Sequence, residues 1–75
     1  MRRVGTVVRT AGGLAIARAE AGAEPPRIGS SVVDESLATV GRVVDVFGPV
    51  DRPYVAVTPN DDDLAALVGG KLYAR

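Results

Sequence analysis

Glycine or proline interrupts this valine-rich chain every several residues, and that punctuation restricts it to short extended segments joined by turns. β-Branched side chains fit a pleated surface. Glycine supplies positive φ for tight turns, and proline removes a ladder donor wherever it stands. With 75 residues the chain makes one domain, residues 1–75, and so small a domain buries only about 60% of the surface its unfolded form exposes. There is no cysteine and no histidine. A disulfide framework, a thiolate metal cluster and imidazole ligands or proton shuttles are therefore excluded, so stability must come from packing.

Six extended segments follow from the pattern. Arg3 to Thr10 reads as a first strand with Val4, Thr6 and Val8 on one face and Arg9 on the other. Gly12-Gly13 supplies a hairpin turn, and Leu14 to Ala19 returns with Leu14 and Ile16 on one face, alanines on the opposite one and Arg18 at a rim. Ala21 to Pro26 is the longest loop, because Ala-Gly-Ala-Glu-Pro-Pro does not pair in a sheet interior. Ser31 to Asp34 is a short strand ending in the acidic turn Asp34-Glu35-Ser36, and Thr39 to Phe47 is the longest strand. Arg42 and Asp45 have opposite parity in it, so strict alternation would bury one charge; a bulge near Arg42 to Val44 reconciles them.

Tyr54 to Thr58 alternates again, with Val55 and Val57 facing the core and Ala56 outward. After Pro59, Asn60 is a good N-cap, and Asp61 to Asp63 place negative charge at the start of a short helix whose stripe is Leu64, Leu67 and Val68. Gly69-Gly70 stops it, and Lys71 to Ala74 closes the sheet. The expected fold is all-β: a small closed six-stranded antiparallel barrel with one short helix near the C-terminus.

Between the fourth and fifth strands, Phe47-Gly48-Pro49-Val50-Asp51-Arg52-Pro53-Tyr54 places two prolines between two of the chain's three aromatics. Each proline fixes φ, so the loop is held in one shape, with Phe47 and Tyr54 at its feet either bracing it from the core or offering apolar surface. Val7, Val43 or Val46, Phe47, Pro49, Val50, Pro53 and Tyr54 together exceed what one thin core absorbs, which points to a protein-binding face.

Other functions fit less well. Nine basic and nine acidic residues cancel, removing the broad positive field of a phosphate-gripping domain. The cancellation hides a split: residues 1–27 carry five arginines against two glutamates, and residues 28–75 carry four basic against seven acidic side chains. Barrels interleave distant segments, so the split in sequence is not by itself a patch in space. Asp61-Asp62-Asp63 lacks the spaced oxygen ligands of a calcium loop and fits helix capping better. Ser30, Ser31 and Ser36 have no histidine to activate them, Lys71 is the only lysine, and a packed barrel leaves little cleft for paired-carboxylate chemistry. No enzyme activity, cofactor or metal is expected. No apolar run approaches the roughly 18 residues of a membrane span, and the expected location is cytoplasmic.

Ile28-Gly29, Val32-Val33-Asp34, Val40-Gly41-Arg42-Val43, Asp45-Val46-Phe47-Gly48-Pro49-Val50, Pro53-Tyr54-Val55 and Val68-Gly69-Gly70-Lys71-Leu72-Tyr73, in that order, resemble the Gar-one subunit of archaeal H/ACA ribonucleoproteins. The most specific element is the Asp-Val-Phe-Gly-Pro-Val block followed by Pro-Tyr. What the resemblance implies is a six-stranded barrel, monomeric when free, that docks on a TruB-like, dyskerin-type pseudouridine synthase in an RNA-guided modification particle serving rRNA processing. The partner carries the chemistry, and contact with guide RNA and the other core proteins is indirect. The subunit holds a mobile loop of the synthase away from the active site, aiding substrate loading and product release. The docking role maps onto Val46, Phe47, Gly48, Pro49, Val50, Pro53 and Tyr54. The glycine-arginine-rich tails of eukaryotic members are absent from these residues. The alternative is a PRC-type barrel interaction module, whose signature also uses Val33-Asp34 and Gly41-Arg42-Val43-Val44-Asp45 but does not require the two-proline loop.

Overall fold

The computed structural model describes residues 2–22, 24–60 and 64–75. Strands β1 (Arg2–Ala11), β2 (Leu14–Arg18), β3 (Ser31–Val33), β4 (Thr39–Phe47), β5 (Tyr54–Pro59) and β6 (Lys71–Ala74) form a closed barrel in the order β1-β2-β5-β4-β3-β6. Every neighbouring pair is antiparallel, including the β1–β6 pair that closes the ring. Closure leaves no free sheet edge, so the short strands stay paired without disulfides. Among the described residues, no helix is long and apolar enough to cross a membrane.

Register shifts occur in four of the six ladders, and they let such short strands bend into a barrel. The β4–β5 shift falls between Val43 and Asp45, so Val44 is the extra residue and Arg42 and Asp45 both point outward, as their parity requires. The same device overturns the simple alternation expected of β1. Shifts at Arg3/Gly5 and Val7/Arg9 bring Val4 and Val7 into the interior and leave Val8 on the surface. Val7 and Val43 are thus core residues and leave the surface apolar set.

The interior is built from Val4, Val7, Ala15, Ala17, Val32, Val40, Val43, Val55, Val57, Leu72 and Ala74, with Val46 and Leu67 packed against it. It contains no aromatic side chain. A six-stranded ring has a narrow bore that valine and alanine fill, so β2 turns its alanine face inward and its Ile16 face outward. Ile16 is nevertheless buried. Arg9 of β1 pairs with Ile16 while its guanidinium lies 5.9 Å from the Tyr54 ring on β5, so its aliphatic stem crosses β2 and covers Ile16.

The short helix expected before β6 is present as a single 3-10 turn, Leu64–Leu67. Leu67 packs on the core, but Val68 is exposed and does not continue a stripe. Backbone pairing ends the segment early: Gly69 donates to the Val7 carbonyl at 2.7 Å and Val7 donates to Gly70 at 2.9 Å, committing these residues to the β1–β6 ladder. Asp61 to Asp63, expected as a capping cluster, lie outside the described residues.

The β3–β4 turn is organised by Asp34. Its Oδ1 accepts hydrogen bonds from the Ser36 hydroxyl at 2.6 Å, the Ser36 amide at 2.9 Å and the Ala38 amide at 3.1 Å, and it stabilises a turn in which Leu37 has a φ of 69°. The Ser36 hydroxyl, working against desolvation, and then the two amides hold the carboxyl below the usual aspartate pKa. A depressed folded-state value contributes stability above the unfolded pKa, which is lost as pH falls through the folded value. Asp34→Ala is therefore expected to melt below wild type at about pH 7, with the difference closing from about pH 4 downward. Melting curves at neutral and acid pH check it; a constant gap contradicts it.

The two-proline loop as a candidate docking site

The register aligns four outward-facing positions across one side of the barrel: Thr6 opposite Arg18, Arg18 opposite Tyr54, and Tyr54 opposite Phe47. Phe47 and Tyr54 stack with centroids 5.7 Å apart and planes inclined by 22°. The Arg18 guanidinium lies 5.7 Å and the Arg9 guanidinium 5.9 Å from the Tyr54 ring. Such an aromatic pair contributes about 0.5–1.5 kcal/mol beyond its burial, and each exposed cation–π contact about 0.5–1 kcal/mol. The row is thus pre-ordered before any partner arrives. The core has no place for these rings, so the feet of the loop are surface features.

Above this row the loop from Gly48 to Pro53 is fixed by more than its prolines. The Arg52 amide donates to the Pro49 carbonyl at 3.3 Å, closing a turn whose tip is Val50. The connection between β2 and β3 then clamps it: the Ala19 amide donates to Pro53 at 3.0 Å, the Gly22 amide to Asp51 at 2.8 Å, and Arg52 Nε to the Ala19 carbonyl at 3.2 Å. Ion pairs from Glu20 to Arg3 and from Glu24 to Arg2, the latter at 3.6 Å, tie the same connection to the start of β1. Glu20, and to a lesser extent the Tyr73 hydroxyl, raise the Arg3 pKa above its already high usual value.

The seven residues expected to form a docking face separate by environment. Val50 is 97% exposed, Phe47 is 39% exposed, Pro49 is exposed and Tyr54 is half-buried; these four offer apolar surface. Val46 packs inward against the core and Pro53 is buried, so both brace the loop. Gly48 has a φ of 92°, and a Cβ there would lie 2.9 Å from Tyr54 Cδ2. Gly48→Ala is expected to cost about 1–2 kcal/mol and to turn the Tyr54 ring out of its stack. A melting temperature lowered by about 4–8 °C per kcal/mol tests the first part, and an unchanged melting curve contradicts it.

Arg9 and Arg18 were not legible as part of this site. They stand far from the loop in sequence, and only the β1–β2–β5 register brings them to Tyr54. Nothing local marks them apart from the placement of Arg9 opposite the apolar face of β1 and of Arg18 at a rim.

The chain was compared with known proteins. An uncharacterized protein of Methanocaldococcus jannaschii is 37% identical over 67 residues, spanning 89% of this chain and 75% of that protein. The family described as the Gar1/Naf1 RNA binding region matches residues 1–75. A six-stranded barrel carrying the Phe-Gly-Pro-Val and Pro-Tyr elements on one rigid loop, matched end to end by that description, belongs to the Gar1/Naf1 RNA-binding family.

Proposed function

We propose that this barrel is the non-catalytic subunit of an H/ACA guide ribonucleoprotein for RNA pseudouridylation. It docks through Phe47, Gly48, Pro49, Val50 and Tyr54 on a TruB/dyskerin-type pseudouridine synthase, with Val46 and Pro53 bracing the loop. The observation that supports it most is the Pro49-Val50 tip: an almost fully exposed apolar side chain on a backbone clamped by prolines and by the β2–β3 connection. Exposed apolar surface costs little entropy to bury when its backbone is already fixed, which suits an anchor residue at an interface.

Docking acts on the partner's conformational equilibrium. A barrel that binds one position of a mobile synthase loop better than another shifts that loop by its difference in affinity, which is how a subunit without catalytic groups aids substrate loading and product release. Family membership supports a ribonucleoprotein setting. The test is co-expression with the guide-dependent synthase followed by gel filtration without RNA. Co-elution at micromolar concentration is expected; separate elution overturns the proposal.

A further inference from the structure

The turn that leads into β3 places a second apolar side chain at the same end of the barrel as the two-proline loop, because β3 begins where β4 ends and β5 begins. The Ser30 amide donates to the Arg27 carbonyl at 3.1 Å, closing a turn with Ile28 at its second position. Gly29 at the third has a φ of 93°, the positive value that a type II turn requires. Gly29 and Ser30 then oppose Val43 together: the Gly29 amide donates to the Val43 carbonyl at 2.7 Å and the Val43 amide to the Ser30 carbonyl at 3.0 Å. This bulge, with glycine at its first position, fastens the turn to β4. Ile28 is 67% exposed on that braced backbone. Val50 holds the matching second position in the turn from Pro49 to Arg52, so two apolar corners stand on fixed backbone at one end of the barrel.

Resting on the docking reading of the two-proline loop, we propose that the docking face continues across β4 to Ile28, a second anchor that meets an uncharged, apolar part of the same partner protein. A lasting interface takes about 800 Å² and roughly 20–30 residues from each side. The loop with its feet is only eight residues, Phe47 to Tyr54, so a partner that holds it at micromolar concentration must cover neighbouring surface as well. Two directions are open. Toward β2 and β1 stand Arg18 and Arg9, whose guanidinium groups lie against the Tyr54 ring and resist burial without a paired charge. Toward β3 stand Val44, the exposed extra residue of the β4 bulge, and then Ile28. Ile28, Val44, Phe47 and Val50 are four of the seven large apolar side chains exposed among the described residues, and the ring order β5-β4-β3 puts them on adjoining elements. Burying them is favourable and asks for no matched charge on the partner. Asp45, next to Val44, turns its carboxylate back onto its own strand, where Oδ1 accepts the Val46 amide at 2.8 Å. With Arg42 it supplies the polar rim that such a face needs.

The experiment is calorimetric titration of the guide-dependent pseudouridine synthase, without RNA, with wild type, Ile28→Asp, Val50→Asp and Val68→Asp. Val68 is exposed on the connection into β6 and serves as the charge-matched control. Ile28→Asp is expected to bind at least about tenfold more weakly than wild type, since its carboxylate would be buried without a partner, and Val68→Asp to stay within about twofold. Melting curves establish that the variants fold, and Ile28→Ser, which adds no charge, should weaken binding in the same direction. Wild-type affinity in both Ile28 variants beside a weakened Val50→Asp would overturn the extension and end the face at the two-proline loop, with docking there intact. Equal weakening by Val68→Asp would overturn it too, as a general effect of charge. No binding by wild type would overturn the docking reading itself and the extension with it.

Discussion

Gly41→Ala is expected to lower the melting temperature by on the order of 12 °C or more, at about 3 kcal/mol and 4–8 °C per kcal/mol. A Cβ at this position would lie 1.9 Å from the Thr58 carbonyl oxygen and 2.9 Å from the Pro59 Cα. Both are backbone atoms, so no side chain yields to make room. Gly41 is paired on both sides, to Val32 of β3 and to Pro59 of β5, and the strand has no direction in which to retreat without breaking a ladder. A domain of this size has roughly 4–11 kcal/mol of total stability, so one methyl group removes a large part of it. Thermal unfolding checks this; a variant that melts within a few degrees of wild type contradicts the close β4–β5 approach.

The second large effect concerns binding. Tyr54→Ala is expected to weaken docking on the synthase about 30-fold, the equivalent of about 2 kcal/mol for an aromatic anchor. Removing the ring deletes the stack with Phe47 and releases Arg9 and Arg18 from the positions it holds for them. Tyr54 lies outside the interior cluster, so the fold survives the change. Phe47→Ala should act in the same direction and more weakly, because its partner ring keeps both arginines. Affinity measured on folded variants decides: wild-type binding by both would move the interface elsewhere.

Much of the barrel was legible because its signals are local. Strand ends follow Gly12-Gly13 and Pro59, and the β4 bulge follows from two charges of opposite parity, since neither Arg42 nor Asp45 tolerates an unpaired place inside. In β1 the same reasoning had nothing to hold on to. Val4, Val7 and Val8 are chemically interchangeable, so their sequence does not reveal which valine is displaced by a bulge. The short helix before β6 is held to one 3-10 turn because tertiary pairing of Gly69 and Gly70 with Val7 overrides a weak local preference.

The candidate site divides the same way. Two prolines and two aromatics in one segment announce a rigid surface loop, and the all-aliphatic interior explains why the aromatics are outside. Which residues face out depends on the clamp from Ala19 and Gly22, two short-range contacts between segments about thirty residues apart. No period or motif encodes them.

Val50 offers the most direct test of docking, because at 97% exposure its side chain plays no part in the core. The measurement is calorimetric titration of the purified synthase with wild type and with Val50→Asp, without RNA. Wild type should bind with micromolar or tighter affinity, and Val50→Asp should bind at least about tenfold more weakly while melting at the wild-type temperature, since a carboxylate buried without a partner opposes association. Equal affinity for the two proteins, or no binding by either, would contradict a docking role for the two-proline loop.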